Sequence, residues 1–307
     1  MKIVATRRYP GPALDELDDL EVLSLAAIDG PRPDVEGLIV ANERIPLGAL
    51  PNLRIAANFG VGYDRVNVAE CLARGVVVTH TPGVLDAATA DLAFALILAV
   101  RRKVVEGDRL IRSGGWTAAW SDLESTRFAE ELSGSTLGIV GLGRIGSAVA
   151  RRARGFDLRV LYTQRSRVET DLAEYRELDD LLAESDVVTI HVPLTPETVA
   201  FLDARRLALL RDGACFVNTA RGDVVDEDAL VAELVSGRIS AGLDVFAHEP
   251  SVPAALLELP NVVLTPHLGS ATRQTREAMT RLAVDNILAV AGGEPALTPV
   301  QVEQADT

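Results

Sequence analysis

The sequence predicts an α/β protein made of two doubly wound parallel-sheet domains. Short continuous apolar runs alternate with helical patterns along the chain, as expected of parallel strands covered on both faces. The alternation comes in two series separated by one long apolar helical stretch. The second series opens on a strand, a glycine-rich turn and a helix in immediate succession. At 307 residues the chain has room for two domains of about 150 residues each.

The first series has candidate strands at Lys2–Thr6, Glu21–Leu25, Gly37–Ala41, Leu53–Asn58 and Val76–Thr79. Helix-like stretches lie at Gly11–Leu20 and Val66–Arg74, and the series closes near Pro82-Gly83. Asp86–Ile111 has no proline and keeps an Ala/Leu-rich face for several turns, so it reads as one long interdomain helix. Ser113-Gly114-Gly115-Trp116 ends that helix, and Thr117–Ser133 reads as irregular. Strands of the second series are expected at Thr136–Val140, Leu158–Tyr162, Asp186–His191, Gly213–Thr219, Ile239–Asp244 and Val262–Thr265. Helices fit Arg144–Gly155, Leu178–Ala183, Asp203–Leu210 and Asp226–Ser236. Six parallel strands match a complete dinucleotide-binding sheet. A last helix, Thr272–Ala291, ends at Gly292-Gly293.

Composition excludes several function classes. The chain carries a net charge of −14, and its pI is about 4.8. Such a chain repels polyphosphate, which argues against nucleic acid as a partner. An anionic substrate would then need a local cluster of arginines. Lysine occurs only at Lys2 and Lys103, so arginine is the default cation. Cys71 and Cys215 lie in apolar contexts without C-x-x-C or zinc spacing, and read as buried thiols with no metal. The segment Met1–Thr6 is too short in apolar length for a signal peptide. The longest apolar run, Leu92–Val100, falls well short of the roughly 20 residues of a membrane span. A soluble cytoplasmic protein with no membrane partner is expected.

The chemistry gathers in the second series. Gly141-Leu142-Gly143-Arg144-Ile145-Gly146 follows a strand and opens a helix, the context that turns G-x-G-x-x-G into a dinucleotide fingerprint. Gly141 permits the tight turn, Gly143 lets the pyrophosphate approach the backbone, and Gly146 lets helix and strand pack closely. The phosphates then meet the positive end of the helix. An NAD site should offer Asp or Glu to the ribose about 20 residues further on. The strand there ends in Thr163-Gln164-Arg165-Ser166-Arg167, which has no acid but offers two arginines and a serine to a 2′-phosphate. NADP, with NADPH preferred over NADH, is therefore the expected cofactor. A solvated, charged strand end is the alternative.

Three further strand ends carry polar residues: Asn218–Asp223, Asp244–Pro250 and Thr265–Ser270. Ligands of a doubly wound sheet bind beyond the carboxyl ends of its strands, so Arg221, Glu249 and His267 can converge. Singly, each could be a surface Arg, a loop Glu or a His satisfied in a turn.

Taken together, Gly60-Val61-Gly62-Tyr63-Asp64, Gly141–Gly146, His191-Val192-Pro193-Leu194-Thr195, Asn218–Asp223, Asp244–Pro250 and Pro266-His267 resemble the NAD(P)-dependent D-2-hydroxyacid dehydrogenases. Within that family the chain is similar to the NADPH-preferring glyoxylate/hydroxypyruvate reductases. The resemblance implies a flavodoxin-like substrate domain built from both chain ends, residues 1–98 and 272–307. It also implies a Rossmann coenzyme domain, residues 99–271, with the site in the cleft. It assigns Arg221 to the substrate, Glu249 to the catalytic carboxylate and His267 to the acid/base. Val61 and Gly62 match the loop whose N–H groups hold the substrate carboxylate, and Leu85 and Phe59 are expected near the substrate. Asp244 matches the contact to the nicotinamide amide, and Thr89 a coenzyme contact on the interdomain helix. His191, Val192, Pro193, Thr219, Ala220 and Gly269 complete the expected cofactor set. Gln164 stands where NAD-type members carry Asp.

Reduction of a 2-oxo acid adds hydride at C2 and a proton at the carbonyl oxygen. An imidazolium suits that proton transfer, and a neighbouring carboxylate favours the charged ring. Among the other histidines, His191 in its Val-Pro-Leu context suits cofactor packing, His80 lies in a first-domain loop, and His248 is expected to face solvent. Two other readings keep the fold: a dehydrogenase acting on a bulkier 2-oxo acid, phosphite or formate, and a cofactor-sensing binding protein. Trp116 and Trp120, paired aromatics, suggest interface anchors of a homodimer, with core residues of their own subunit as the alternative; in the resembled reductases this segment belongs to the dimer arm.

Overall fold

The computed structural model describes residues 1–116 and 128–301. The chain divides into two compact units, Met1–Leu85 with Ser270–Thr307, and Asp86–Gly269.

The first unit holds β1 (Lys2–Ala5), β2 (Leu20–Val22), β3 (Val35–Val40), β4 (Ile55–Asn58) and β5 (Val77–Thr79). They form one five-stranded sheet in the order β2-β1-β3-β4-β5, and every pairing is parallel. That is the flavodoxin-like doubly wound order. Successive side chains point to opposite faces. Ile3, Ala5, Ile39 and Ile55 therefore pack with Val284 and Ile287 of the closing helix Arg273–Ala291. Val4, Leu38, Val40 and Ala56 pack on the other face with Leu50 and Cys71. The helix expected over Gly11–Leu20 shrinks to a 3-10 turn at Pro12–Glu16. Leu20 already pairs with Ile3, so the chain must be extended before a longer helix can form.

The second unit contains β6 (Thr136–Val140), β7 (Arg159–Thr163), β8 (Glu174–Tyr175), β9 (Val187–Ile190), β10 (Cys215–Asn218), β11 (Ser240–Leu243) and β12 (Val262–Leu264). Their order is β12-β11-β10-β9-β6-β7-β8, again parallel throughout. This is the Rossmann order with a seventh strand added beyond the sixth. The sequence suggested six strands; the two-residue β8 has no apolar run to announce it. One face packs Leu137, Ile139 and Val217 against the helices Asp86–Arg101 and Arg144–Ala153. The other packs Val140, Val188 and Phe216 against Leu181, Leu207 and Leu230.

The long helix of the sequence reading is broken. It ends at Arg101, Lys103 turns left-handed (φ 51°), and a new helix runs Val104–Arg112. No proline or glycine causes the break. The Arg101 carbonyl accepts from the Glu130 N–H (3.0 Å), and its buried guanidinium donates to the Glu131 carbonyl (2.6 Å). Tertiary partners thus draw the helix end away from its own axis. The division between units falls at Leu85 and Asp86, not after residue 98, because Ala90, Ala93, Phe94, Leu96 and Ile97 are all buried in the second unit's core. The return crossing lies at Gly269 and Ser270, two residues before the expected 271/272 boundary. Among the described residues, no helix is long and apolar enough to cross a membrane.

Candidate active site

The chain leaves β6 for β7 and β8 on one side, then returns to β9 on the other, so the ends of β6 and β9 flank a topological switch point. Gly141 (φ 97°) makes the turn out of β6, and a Cβ there would lie 2.7 Å from the His191 carbonyl oxygen after β9. A Cβ on Gly146 would lie 2.0 Å from the Gly141 carbonyl oxygen, so only glycine lets the helix close on the strand. Gly143 differs from both. It caps the ten-residue helix Arg144–Ala153, and a Cβ there would point into space with no protein atom within 4 Å. Arg144 is exposed and Ile145 half-buried in the first turn of that helix.

Gln164 reaches back to this turn. Its Oε1 accepts from the Leu142 N–H (3.2 Å), and its Nε2 donates to the Ser166 carbonyl (2.6 Å). The Tyr162 hydroxyl accepts from the Val168 N–H (3.1 Å) and donates to the Val168 carbonyl, fixing the far side of the loop. Arg165 is near enough to Glu197 to help hold that carboxyl below its usual range, a shift led by the Thr195 hydrogen bond. Arg167 turns away to the edge strand, its guanidinium 5.4 Å from the centre of the Tyr175 ring. Residues 163–167 include no carboxylate.

The remaining expected cofactor residues lie at the same sheet edge. His191 Nε2 bonds the Thr189 hydroxyl at 2.9 Å, and desolvation of the ring pushes its pKa down to about 3. Part of the residue is still accessible, but the ring itself stays neutral and makes a poor proton donor at pH 7. Val192 packs on the sheet's hydrophobic core, and the Pro193 carbonyl accepts from the Thr198 hydroxyl (2.7 Å). The Ala220 N–H donates to Asn218 Oδ1 (3.0 Å). Thr219 Oγ1 is buried and has no protein hydrogen-bond partner. That orphaned hydroxyl and the open cradle at Gly143 fit a nicotinamide dinucleotide.

Asp244, with no exposed surface, organises the ends of β11 and β12. Its Oδ1 accepts from the Thr265 hydroxyl (2.6 Å) and the Leu268 N–H (2.7 Å), and its Oδ2 from the Gly269 N–H (2.9 Å). Burial raises its pKa, and these donors oppose that rise. Thr89 donates to the Gly269 carbonyl (3.2 Å), tying the helix Asp86–Arg101 to the same loop. The His267 N–H donates to the Asp244 carbonyl (2.9 Å), which holds His267 in a left-handed conformation (φ 53°).

From that position His267 Nδ1 meets Glu249 Oε2 at 2.9 Å, while the imidazole stays about half exposed. Glu249 Oε1 accepts from the Phe246 N–H (3.1 Å). Burial pushes the Glu249 carboxyl up, but His267, the Phe246 N–H and the Arg221 charge together bring it below the usual range. The carboxylate therefore accepts from Nδ1–H, and Nε2 has no hydrogen-bond partner among the described residues. Arg221 is held by its extended backbone, with Asn218 Nδ2 donating to its carbonyl (2.8 Å). His248, next to Glu249, is exposed. Among the described residues, no group of three or more His, Cys, Asp or Glu is placed to hold a metal ion.

Two supports of this cluster went unnoticed in the sequence. A Cβ on Gly222 would lie 2.1 Å from the Phe246 carbonyl carbon, so the Arg221 and Glu249 loops touch backbone to backbone. Glu227 Oε1 accepts from the Ala247 N–H (3.0 Å) and pins the same loop. A glycine directly after Arg221 was a usable signal; nothing local marks Glu227.

In the first unit, Asn58 closes β4 and is almost wholly buried. Its Nδ2 donates to the carbonyls of Gly60 (3.1 Å) and Gly62 (2.9 Å). With these carbonyls turned inward, the N–H groups of Val61 and Gly62 donate to no atom among the described residues. Leu85 is buried, and the Phe59 and Tyr9 rings meet at a tilt of 35° with centroids 4.5 Å apart.

The Gly222 contact yields a direct expectation. Gly222→Ala should push the Arg221 and Glu249 loops apart and lower turnover about 100-fold, the usual cost of a misplaced reacting group. Cofactor affinity should hold, because the glycine turn after β6 is untouched. Steady-state kinetics beside a cofactor fluorescence titration would separate the two.

A sequence model of the D-isomer specific 2-hydroxyacid dehydrogenase NAD-binding domain matches residues 94–269. The chain is 49% identical over 282 residues to a glyoxylate reductase of Pyrococcus furiosus, covering 88% of this chain and 83% of the relative. It is 43% identical to a glyoxylate reductase of Thermococcus onnurineus over 98% of this chain and 96% of that one. It also resembles the crystal structure of an NADPH-dependent glyoxylate/hydroxypyruvate reductase of Sinorhizobium meliloti in complex with NADP and malonate. That match has a TM-score of 0.87 at 38% identity and covers 97% of this chain and 96% of the other. The chain therefore belongs to the D-isomer specific 2-hydroxyacid dehydrogenases, a family of NAD(P)-dependent oxidoreductases.

Proposed function

We propose that this chain reduces a small 2-oxo acid of the glyoxylate/hydroxypyruvate kind to the D-2-hydroxy acid, using NADPH in preference to NADH. The observation that carries the reading is the 2.9 Å contact between His267 and Glu249, with the Arg221 charge acting on the same carboxylate. That set suits proton transfer beside a bound anion. The names of the relatives support the substrate class.

When bound, the nicotinamide supplies the hydride for C2. Gly141, Gly143, Arg144, Ile145 and Gly146 would hold the pyrophosphate at the helix N-terminus, and Thr89, His191, Val192, Pro193, Thr219, Ala220, Asp244 and Gly269 would surround the rest of the cofactor. His267 would give a proton from Nε2 to the carbonyl oxygen, while Glu249 holds the ring through Nδ1. Arg221 polarises the carbonyl and binds the carboxylate as a planar fork. The free N–H groups of Val61 and Gly62 suit a substrate carboxylate as well. Gln164, Arg165 and Ser166 would receive the ribose 2′-phosphate. Arg167, stacked on Tyr175, would contribute long-range charge rather than a direct bond.

A second copy of the chain is the proposed partner. Val104, Ile111, Trp116 and Phe128 are each more than half exposed and lie close together in sequence. Such a concentration of exposed apolar side chains suits a subunit interface. Trp120, the other expected anchor, lies outside the described residues.

His267→Ala should lower turnover about 10²–10⁴-fold, the range for a lost general acid, with cofactor binding retained. Full activity in the folded variant would remove His267 as donor. Glu249→Gln should cost about tenfold to hundredfold, the worth of one charge-assisted hydrogen bond. The same pair has a pH signature in stability. Glu249 is shifted below its usual value of 4.5 in the folded chain, so its stabilising contribution is complete above that value and fades as pH falls through the folded pKa. The stability gap between wild type and Glu249→Gln should therefore be present at neutral pH and close in acid. Urea unfolding at a series of pH values measures it.

Gln164→Asp combined with Arg165→Ala should reverse the cofactor preference, adding repulsion to the 2′-phosphate and a partner for both ribose hydroxyls. The ratio of kcat/KM for NADPH and NADH decides this, and a wild type that prefers NADH would refute the cofactor reading. Light scattering at working concentration should give twice the chain mass, and a monomer mass would refute the dimer.

A further inference from the structure

A run of hydrogen bonds in the first unit connects the closing helix, through residues 297–300, to the Val61-Gly62 loop. Asn286, on that helix, has no exposed surface. Its Oδ1 accepts from the N–H groups of Leu297 (2.9 Å) and Thr298 (3.0 Å), and its Nδ2 donates to Thr298 Oγ1 (3.0 Å). Thr298 Oγ1 then donates to the His80 carbonyl (2.6 Å), and the His80 N–H donates to the Thr298 carbonyl (3.2 Å). Pro299 bridges Thr79 in antiparallel fashion, and the Val300 N–H donates to the Val78 carbonyl (2.8 Å). This strap runs along the free edge of β5 and fixes the backbone of His80.

The His80 ring passes that constraint on. Its Nδ1 lies 3.1 Å from the Val61 carbonyl oxygen, and the Tyr63 ring meets it edge-on at 5.5 Å. A carbonyl oxygen only accepts, so Nδ1 carries the hydrogen. Within one trans peptide unit the C=O and the next N–H point in opposite directions. Holding the Val61 carbonyl therefore aims the Gly62 N–H the other way. The preceding peptide is set independently, because the Gly60 carbonyl accepts from Asn58 Nδ2 (3.1 Å) and from the Thr81 N–H (2.9 Å). Of the two free donors in this loop, the Gly62 N–H is the one that depends on His80.

We infer that His80 is a positioning residue for substrate: held by Thr298 and Asn286, it aims the Gly62 N–H at the substrate carboxylate. The inference rests on the carboxylate-binding role proposed for Val61 and Gly62. It assigns to a strap on the edge of the first sheet a share in substrate affinity, and none in hydride or proton transfer.

The full-length chain with His80→Phe, His80→Asn and Thr298→Val tests it. The readouts are glyoxylate kinetics with NADPH, a calorimetric titration of oxalate in the presence of NADP, and thermal unfolding. In His80→Phe, glyoxylate KM and oxalate Kd should both rise about tenfold, with kcat and the KM for NADPH held within about twofold. His80→Asn keeps a side-chain N–H near the Nδ1 position and should recover most of the loss. Thr298→Val should give a smaller rise of the same sign. Wild-type KM and Kd in folded His80→Phe would overturn the inference, as would a loss confined to kcat or no recovery in His80→Asn. If His80→Phe does not fold, unchanged oxalate affinity in Thr298→Val overturns it. A wild type that fails to reduce glyoxylate refutes the proposed activity, while the oxalate titration still decides the role of His80. Oxalate that does not bind the wild type also overturns the inference.

Discussion

The second unit depends on a carboxylate that water does not reach. An ionised Asp with no exposed surface is costly unless donors surround it. Asp244 gathers its donors from the stretch just beyond β12, namely Thr265, Leu268 and Gly269, so one side chain directly after β11 dictates the path of the next strand's exit. His267 lies inside that path. Its left-handed backbone would cost a free loop about a kcal/mol or more, and here it is held by the Asp244 carbonyl and by neighbours tied to the Asp244 carboxylate. The imidazole direction that brings Nδ1 to Glu249 thus follows from satisfying a buried carboxyl at the end of the neighbouring strand.

Parallel topology does the coarse gathering, and missing Cβ atoms do the fine gathering. All strands of the second sheet run the same way, so the turns after β6, β7, β9, β10, β11 and β12 share one edge. That alone leaves side chains ångströms out of register. The backbone contacts at Gly141, Gly146 and Gly222 close these gaps, because each tolerates no side-chain carbon at the crossing. Gly143, in the same turn as Gly141 and Gly146, differs from them in having open space where its Cβ would stand.

Much of this was legible in the sequence. The glycine turn announced itself because its spacing follows from the steric needs of a strand, a turn and a helix, all within six residues. Arg221, Glu249 and His267 could be singled out because each follows an apolar run at a strand end. Less legible was whatever tertiary partners impose. The break after Arg101 depends on Glu130 and Glu131, about thirty residues away and without a local signal. β8 is two residues long and pairs with β7 without an apolar pattern of its own. His80 looked like an idle loop histidine because its partners, Val61 and Thr298, lie far along the chain on either side. Charge alone offered Arg165 or Arg167 to a phosphate, and the contact of Arg167 with the Tyr175 ring, 5.4 Å from its centre, had no signal in the sequence.

A chain of net charge −14 that handles an anionic cofactor and an anionic substrate must override its own field locally. Direct contacts suffice, because solvent and salt screen the distant carboxylates within about 10 Å, whereas a hydrogen-bonded donor is not screened. Many arginines are committed elsewhere, in surface pairs such as Arg159 with Glu174 and Arg205 with Asp179. The groups proposed to handle anions differ in kind. Gly143 presents a helix N-terminus, and Val61 and Gly62 present backbone N–H groups. These donors carry no net charge, add nothing to the formal balance and cannot be neutralised by a surface carboxylate. Arg221 is the charged member, and its field already lowers the Glu249 carboxyl. In the proposed site one cation would serve two carboxylates, the protein's own Glu249 and the one a substrate brings, which would keep the site electrostatically open to an anion inside an acidic protein.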